Sequence, residues 1–248
     1  MVAVLLAGVA AGTINTVVGS GTLVTFPTLL AFGVPPVTAN VSNNIGLVPG
    51  SFSGAWGYRR ELRGQRARLI RLGSASLLGG VSGAVLLIAL PETAFNTIVP
   101  VLILTGVVLV LLQPAISRRV AARAEGRGGV PVHGALWVWG LVMLTGVYGG
   151  YFGAAQGVLL MAVLGIGLQD SLQRLNGTKN VLAGLVNAVA AVIFIVVAEV
   201  DWVVVALIAA GSVVGGQIGA TVGRRLPPLA LRMVIVTVGL VAVAAFVT

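Results

Sequence analysis

The sequence predicts an all-α polytopic membrane protein of two inverted-topology repeats, about five helical segments each, with broken or re-entrant helices. Three observations carry that expectation. The chain is 58% hydrophobic and 8% charged over 248 residues, with a mean hydropathy of +1.08, whereas soluble domains carry about 25% charged residues. It also repeats itself. Gly12, Gly19, Gly21 and Gly33 recur 134 residues later as Gly146, Gly153, Ala155 and Gly167. Two residues are then gained, the offset becomes 136, and Ser42-Asn43-Asn44 returns as Thr178-Lys179-Asn180, Gly79-Gly80 as Gly215-Gly216, Gly83-Ala84 as Gly219-Ala220 and Leu90-Pro91 as Leu226-Pro227. Finally, basic residues flank non-equivalent turns in the two copies, as inversion requires.

The first copy reads as apolar segments over 2–18, 22–33, 37–58, 67–90 and 95–113. Gly19-Ser20-Gly21-Thr22 interrupts the first two segments, arginines crowd the start of the fourth, and Pro91-Glu92-Thr93 turns the chain before the fifth. A polar stretch from Gln113 to His133, holding Arg118, Arg119, Arg123, Glu125 and Arg127, joins the halves. The second copy reads as 134–152, 155–166, 171–197, 202–223 and 229–247, with Gly153-Ala154-Ala155-Gln156-Gly157 as its own interruption. Three units follow: a first membrane repeat over 1–113, a cytoplasmic connector over 114–133 and a second repeat over 134–248.

Arginine placement orients the spans, because basic loops stay cytoplasmic. Arg59, Arg60, Arg63, Arg66, Arg68 and Arg71 mark the loop before the fourth segment as inside, and the connector is inside too. The turn between them has no basic residue. In the second copy the equivalent turn near Pro227 carries Arg224, Arg225 and Arg232, while the preceding turn holds only Glu199 and Asp201. Equivalent turns therefore face opposite sides, and both termini are expected on the outer side of the membrane. A 12-residue helix reaches only about 18 Å, against a hydrocarbon core of about 30 Å. Segments 2–18 with 22–33, and 134–152 with 155–166, can thus either cross or fold back as hairpins.

Composition excludes several classes. The +9 net charge sits in short loops, so it is a topology signal and no nucleic-acid partner is expected. Without cysteine there are no disulfides or thiolate metal sites, and no cofactor is expected. The start, Met1-Val-Ala-Val-Leu-Leu, lacks the basic region of a signal peptide, so the first segment is expected to be retained. The 35 glycines suit close helix crossings or a homodimer face.

The breaks are the first candidates for a binding site. Unwound backbone is tolerated within a membrane only where protein or a watery cavity satisfies it, and half-helix amino termini attract anions. That singles out Gly19, Ser20, Gly21, Thr22, Gln156 and Gly157 as candidate substrate-binding residues; the alternative is that these glycines only permit tight crossings. Lys179, the only lysine, lies roughly 12 Å into its helix, where such a charge costs on the order of 2.5–3.5 kcal/mol. It either faces the path of an anion or pairs structurally with Asp170 or a carbonyl. Its neighbours Thr178 and Asn180, with the equivalent Ser42, Asn43 and Asn44, form polar faces that serve either as ligands or as interhelical hydrogen-bond glue. Asn44 with Ser51, and Asn180 with Asn187, are seven apart and share a face. No acidic residue falls deep in a segment, which favours an anionic over a cationic cargo.

The run Ala11-Gly12-Thr13-Ile14-Asn15-Thr16-Val17-Val18-Gly19-Ser20-Gly21, with Phe26-Pro27-Thr28-Leu29-Leu30 and Gly33-Val34-Pro35-Pro36, resembles the first repeat of the sulfite exporter TauE/SafE-like permeases. Ala39-Asn40-Val41-Ser42-Asn43-Asn44 is similar to that family's small-residue and threonine segment, and Gly146, Gly153, Gly157 and Asn176-Gly177-Thr178-Lys179 carry the second repeat. The chain departs from the pattern at Ser42, where threonine is common, and at Ala155, where a third glycine is typical. The resemblance implies an inner-membrane secondary transporter, an exporter of small sulfur-containing anions such as sulfite or organosulfonates. It would work by alternating access, with the lipid bilayer and a small anionic substrate as its partners. A passive small-anion channel or a permease for a non-sulfur anion is the alternative. An intramembrane enzyme would have to rest on a serine–lysine dyad alone.

Overall fold

The computed structural model describes residues 1–124 and 134–222, together with 233, 236 and 237. Among them lie nine helices: α1 (Val2–Val17), α2 (Thr22–Ala31), α3 (Pro36–Gly57), α4 (Arg66–Ala89), α5 (Glu92–Ala124), α6 (Leu136–Tyr151), α7 (Gln156–Gly167), α8 (Leu172–Val197) and α9 (Trp202–Thr221). The remainder of the connector with Glu125, Arg127 and His133, and the expected segment 229–247 with the turn at Pro227, fall outside the described residues.

Among the described residues four helices are long and apolar enough to cross a bilayer: Arg66–Ala89, Glu92–Ile116, Leu172–Val197 and Trp202–Thr221. The short pairs α1–α2 and α6–α7 break at the expected glycines. Gly19 and Gly153 take φ values of +94° and +74°, a left-handed conformation that glycine alone adopts freely. Both ends close alike: the N–H groups of Val18 and Gly19 donate to the Ile14 carbonyl, and those of Phe152 and Gly153 to that of Tyr148. One boundary differs from expectation. Helix α5 does not stop at residue 113 but continues through Pro114 to Ala124, because proline forfeits one backbone bond while the alanines and arginines beyond it favour helix.

Packing follows the repeat. The small faces of α9 meet α1, with Gly211, Gly215 and Gly219 against the carbonyls of Leu5, Val9 and Thr13 in turn, so those helices run parallel. In the equivalent pair, Gly79 and Gly83 of α4 sit against the carbonyls of Met143 and Val147 of α6, again parallel. Subtracting the offsets converts one set of contacts into the other: Gly79 and Met143 correspond to Gly215 and Val9. Helices α3 and α8 cross between these pairs and run antiparallel, since Asn44 meets Asn187 and Tyr58, fourteen residues on, meets Asn176. The start of α6 lies beside the end of α7, where a Cβ on Gly167 would press on Val138. Phe26, Phe95 and Phe152 stack edge-on at centroid separations of 5.1 to 6.4 Å and wedge the second break against α2 and α5.

One end of the bundle is tied by charge. Arg68 and Arg174 both bind the Asp170 carboxylate, at 2.7 and 2.8 Å, which joins the first turn of α4 to the start of α8. Partial burial pushes the Asp170 carboxyl up, but hydrogen bonds from Arg68, Arg174 and the Ser171 N–H outweigh it and hold the group below its ordinary range. Arg68 is therefore more than a topology signal: it is buried and paired.

Candidate functional site

The two breaks meet. The Gly157 N–H donates to the Gly19 carbonyl at 3.0 Å, and the two α-carbons lie so close that a Cβ on either residue would collide with the other's backbone. Beside this contact is a cavity of about 10 Å³, room for about one water molecule. Its polar lining comes from α1 (Asn15), α2 (Thr22), α3 (Asn43, Asn44), α7 (Gln156) and α8 (Asn187); Leu47, Phe152, Gly153, Gly157 and Ala183 complete it. Thr22 and Gln156 are the first residues of α2 and α7. The positive ends of two half-helices thus converge on one small chamber.

Its hydrogen bonding is unfinished. Asn44 donates to the Asn187 carboxamide at 3.4 Å, yet Asn44 Oδ1 and Gln156 Nε2 are buried with no partner among the described residues. A buried polar group left unpaired costs about 1–3 kcal/mol, so two of them on one chamber mark a place built to receive something polar. Ser20, in the first break, likewise has a buried hydroxyl without a partner. Asn43 is committed locally, donating to Thr22 Oγ1 at 3.2 Å and accepting from Thr25.

The remaining candidates serve the frame. Lys179 is fully buried, and its ammonium donates to the carbonyls of Asn15 and Thr16 at 3.0 and 3.1 Å. Those are orphan acceptors in the last turn of α1, and a cation suits the negative end of a helix. Asn176 and Asn180 donate to the same Thr16 carbonyl. Lys179 does not line the chamber; it holds the turn that carries Asn15, which does. In the other half Asn40, the equivalent of Asn176, caps α6 by donating to the Tyr151 carbonyl at 3.0 Å.

Ser42 accepts from the Asp201 N–H at 2.9 Å, and Thr178 donates to Gln65 at 3.0 Å. Asp201 and Gln65 are the capping residues of α9 and α4 and are themselves equivalent by the 136-residue offset. These two hydroxyls therefore anchor helix starts. Gly21 packs on the Ala11 carbonyl of α1, folding α2 back along it. The expected set is thus divided: Thr22, Asn43, Asn44, Gln156 and Gly157 line the chamber, Gly19 forms its wall through Gly157, and Ser42, Thr178, Lys179 and Asn180 support it from outside.

Comparison with known proteins adds the family context. A protein-family model described as sulfite exporter TauE/SafE matches residues 4–246. The chain is 29% identical over 226 residues to a probable membrane transporter protein, YfcA, of Escherichia coli strain K12, covering 87% of this chain and 76% of that protein. It is 27% identical over 218 residues to a probable membrane transporter protein, ORF9, of a Sinorhizobium species, covering 85% and 78%. A probable membrane transporter protein of Haemophilus influenzae is 23% identical over 215 residues, covering 86% and 81%. No solved structure matches.

Proposed function

The chain belongs to the sulfite exporter TauE/SafE family of membrane transporters, and from that premise we propose that it exports a small sulfur-containing oxyanion, sulfite or a short organosulfonate, by alternating access. The observation that carries this is the chamber shared by the first residues of α2 and α7, with the unpaired amide donor Gln156 Nε2 on it; the unpaired Asn44 Oδ1 is an acceptor and suits the hydroxyl of a protonated oxyanion. An oxyanion accepts from amide donors and is drawn to helix amino termini, and no carboxylate lines the chamber to repel it.

The relative directions of the helices support two inverted repeats. Helices α3 and α8 are equivalent by sequence and run antiparallel, while α1 follows α9 and α6 follows α4. On this proposal α1–α2 and α6–α7 are re-entrant hairpins entering from opposite faces. In this scheme the Arg68–Asp170 end is the cytoplasmic one, a reading its arginines support, and the amino terminus is outside. The chamber is too small for sulfite as it stands, which fits a closed intermediate that opens when one half rocks against the other. That same closure disfavours a standing channel. In this scheme Lys179 positions the end of α1 and contributes no contact to the anion.

The test is sulfite and short-chain sulfonate flux into proteoliposomes, wild type beside Gln156→Leu and Asn187→Leu. Saturable sulfite flux is expected, with the apparent KM raised about tenfold or more in each variant, the scale of one lost hydrogen bond to an ion. Flux that rises linearly with concentration would replace the carrier with a channel. Saturable flux of carboxylates but of no sulfur anion would keep the mechanism and overturn the substrate class.

A further inference from the structure

A second concavity, of about 590 Å³, opens on the outside of the bundle between α4 and α8. Leu62, Leu69, Ile70, Leu77, Val181 and Leu185 line it. At its floor Gly73 lies against α8: a Cβ there would come within 3.1 Å of Leu185, so the missing side chain deepens the groove. Ile70 and Leu77 are 64% and 40% exposed, which leaves the walls open to hydrocarbon.

Its mouth has different chemistry. Arg66, the first residue of α4, sits on the rim and has no ion-pair or hydrogen-bond partner among the described residues. Arg59, Arg60 and Arg63 are exposed on the same loop. Of the acids at this end, Asp170 is already bound by Arg68 and Arg174, and Glu61, on the same loop, is engaged in an interaction of its own and is outnumbered there by Arg59, Arg60 and Arg63. Trp56 lies 5.3 Å beneath the Arg59 guanidinium at this same end, the residue type favoured at a membrane–water boundary. From Arg66 to Leu77 is eleven residues, about 16 Å along a helix, close to the depth of one leaflet's share of a hydrocarbon core of about 30 Å. The groove has the volume of a small-molecule site, is apolar along one leaflet and is cationic at the headgroup.

We infer that this groove binds one anionic phospholipid, with an acyl chain laid between α4 and α8 and its phosphate on Arg66. Basic pockets between membrane helices recognise such headgroups. The occupant matches in charge, in length and in the side from which it enters. A lipid wedged there would bear on α8, the helix that carries Lys179 and Asn187.

Native mass spectrometry of the detergent-purified protein tests this with phosphatidylglycerol and phosphatidylethanolamine of identical acyl chains. One phosphatidylglycerol retained per chain is expected, held about fivefold better than phosphatidylethanolamine, the factor one surface arginine contributes. Arg66→Gln should bring the two lipids level, Arg66→Lys should restore the preference, and Leu77→Trp should displace both by filling the groove. Arg119→Gln, at an exposed arginine on α5, should change nothing. Arg66 and Leu77 are exposed, so folding survives these changes, and unfolding temperatures confirm it. Equal retention of both lipids by the wild type, or wild-type selectivity in Arg66→Gln, would overturn the inference. So would a protein dimer that dissociates in Leu77→Trp without any retained lipid, which would make the occupant a second copy of this chain.

Discussion

Replacing Lys179 with methionine separates a capping role from a ligand role. The side chain is fully buried and both of its bonds go to the last turn of α1. Without the ammonium, the Thr16 carbonyl keeps Asn176 and Asn180 at 3.2 and 3.3 Å, so only the Asn15 carbonyl loses its side-chain donor. One orphaned buried acceptor costs about 1–3 kcal/mol, and methionine fills nearly the same volume without a charge to desolvate. The net loss should be about 1–2 kcal/mol, or roughly 2–8 °C in unfolding temperature for a chain of this size. Flux should fall in part, because the loosened turn carries Asn15 on the chamber wall. If Lys179 acts through that turn, Asn15→Ala alone should lower flux similarly, and the double variant should be little worse than either. The assay is thermal unfolding in detergent beside sulfite flux in proteoliposomes for the two single variants and the double. Complete loss of flux in Lys179→Met with an unchanged unfolding temperature, and effects that add with Asn15→Ala, would refute the capping account and put the ammonium on the anion.

Gly157→Ala should lower stability by about 2–4 kcal/mol, since its Cβ would strike the Gly19 backbone and endanger the bond between them; a variant unfolding at the wild-type temperature would mean that the breaks do not touch. Asp170→Ala should cost about 3 kcal/mol near neutral pH by taking the carboxylate from the buried Arg68 charge, which keeps its bond to Gln65, read by thermal unfolding. Because the folded carboxyl lies below its unfolded value, the wild-type contribution is fully present above the ordinary carboxylate range and is lost as pH falls through the lowered folded value, so the gap between wild type and variant should close only in strong acid. Gly83→Ala and Gly219→Ala, equivalent positions facing Val147 and Thr13, should each destabilise by about 1–3 kcal/mol; a harmless substitution at one of them would break the equivalence.

Most of the frame was legible because glycine and proline punctuate it. The breaks at Gly19 and Gly153 and the turns at Pro35 and Pro91 place the helix ends within a few residues of those observed. The end of the fifth segment misled because the arginine-rich stretch after Gln113 reads as a polar connector, although its alanines and arginines favour helix and α5 runs on to Ala124. Within the site, the polar faces of α3 and α8 were legible, but not which residues point inward. Successive residues on a helix lie about 100° apart, so Ser42 and Asn44, two positions apart, cannot share one target: Asn43 and Asn44 reach the chamber, whereas Ser42 reaches the start of α9. Asn15 was missed as a site residue because its place depends on α1 ending beside α8, a tertiary fact. The pairing of Lys179 with carbonyls was foreseeable as an alternative, though the sequence does not show which helix end needs a cation.

Where the two copies agree and where they differ follows from the work each part must do. The contacts that fix the frame repeat across the halves. Gly79 on Met143 matches Gly215 on Val9, the Ser42–Asp201 anchor matches Thr178–Gln65, and Asn40 capping α6 matches Asn176 capping α1. Under the proposed alternating access, two halves that rock against each other need the same bearings on both faces of the membrane, which accounts for how closely these pairs match. The differences gather at the chamber: Asn15 stands opposite Gly149, Gly21 opposite Ala155, Thr22 opposite Gln156 and Asn43 opposite Lys179. On the proposed function, one small anion between the halves need not present the same oxygens to both, and a space of about 10 Å³ cannot hold two copies of each ligand. The glycine at 149 makes the point in steric terms, since a Cβ there would collide with the Gln156 carboxamide; the second copy gives up the side chain at that position to admit the one at 156. Restoring symmetry with Gly149→Asn should therefore expel Gln156 from the chamber and abolish saturable flux while sparing the α4–α6 and α1–α9 packing, and a variant that still transports with wild-type KM would show that Gln156 does not touch the anion.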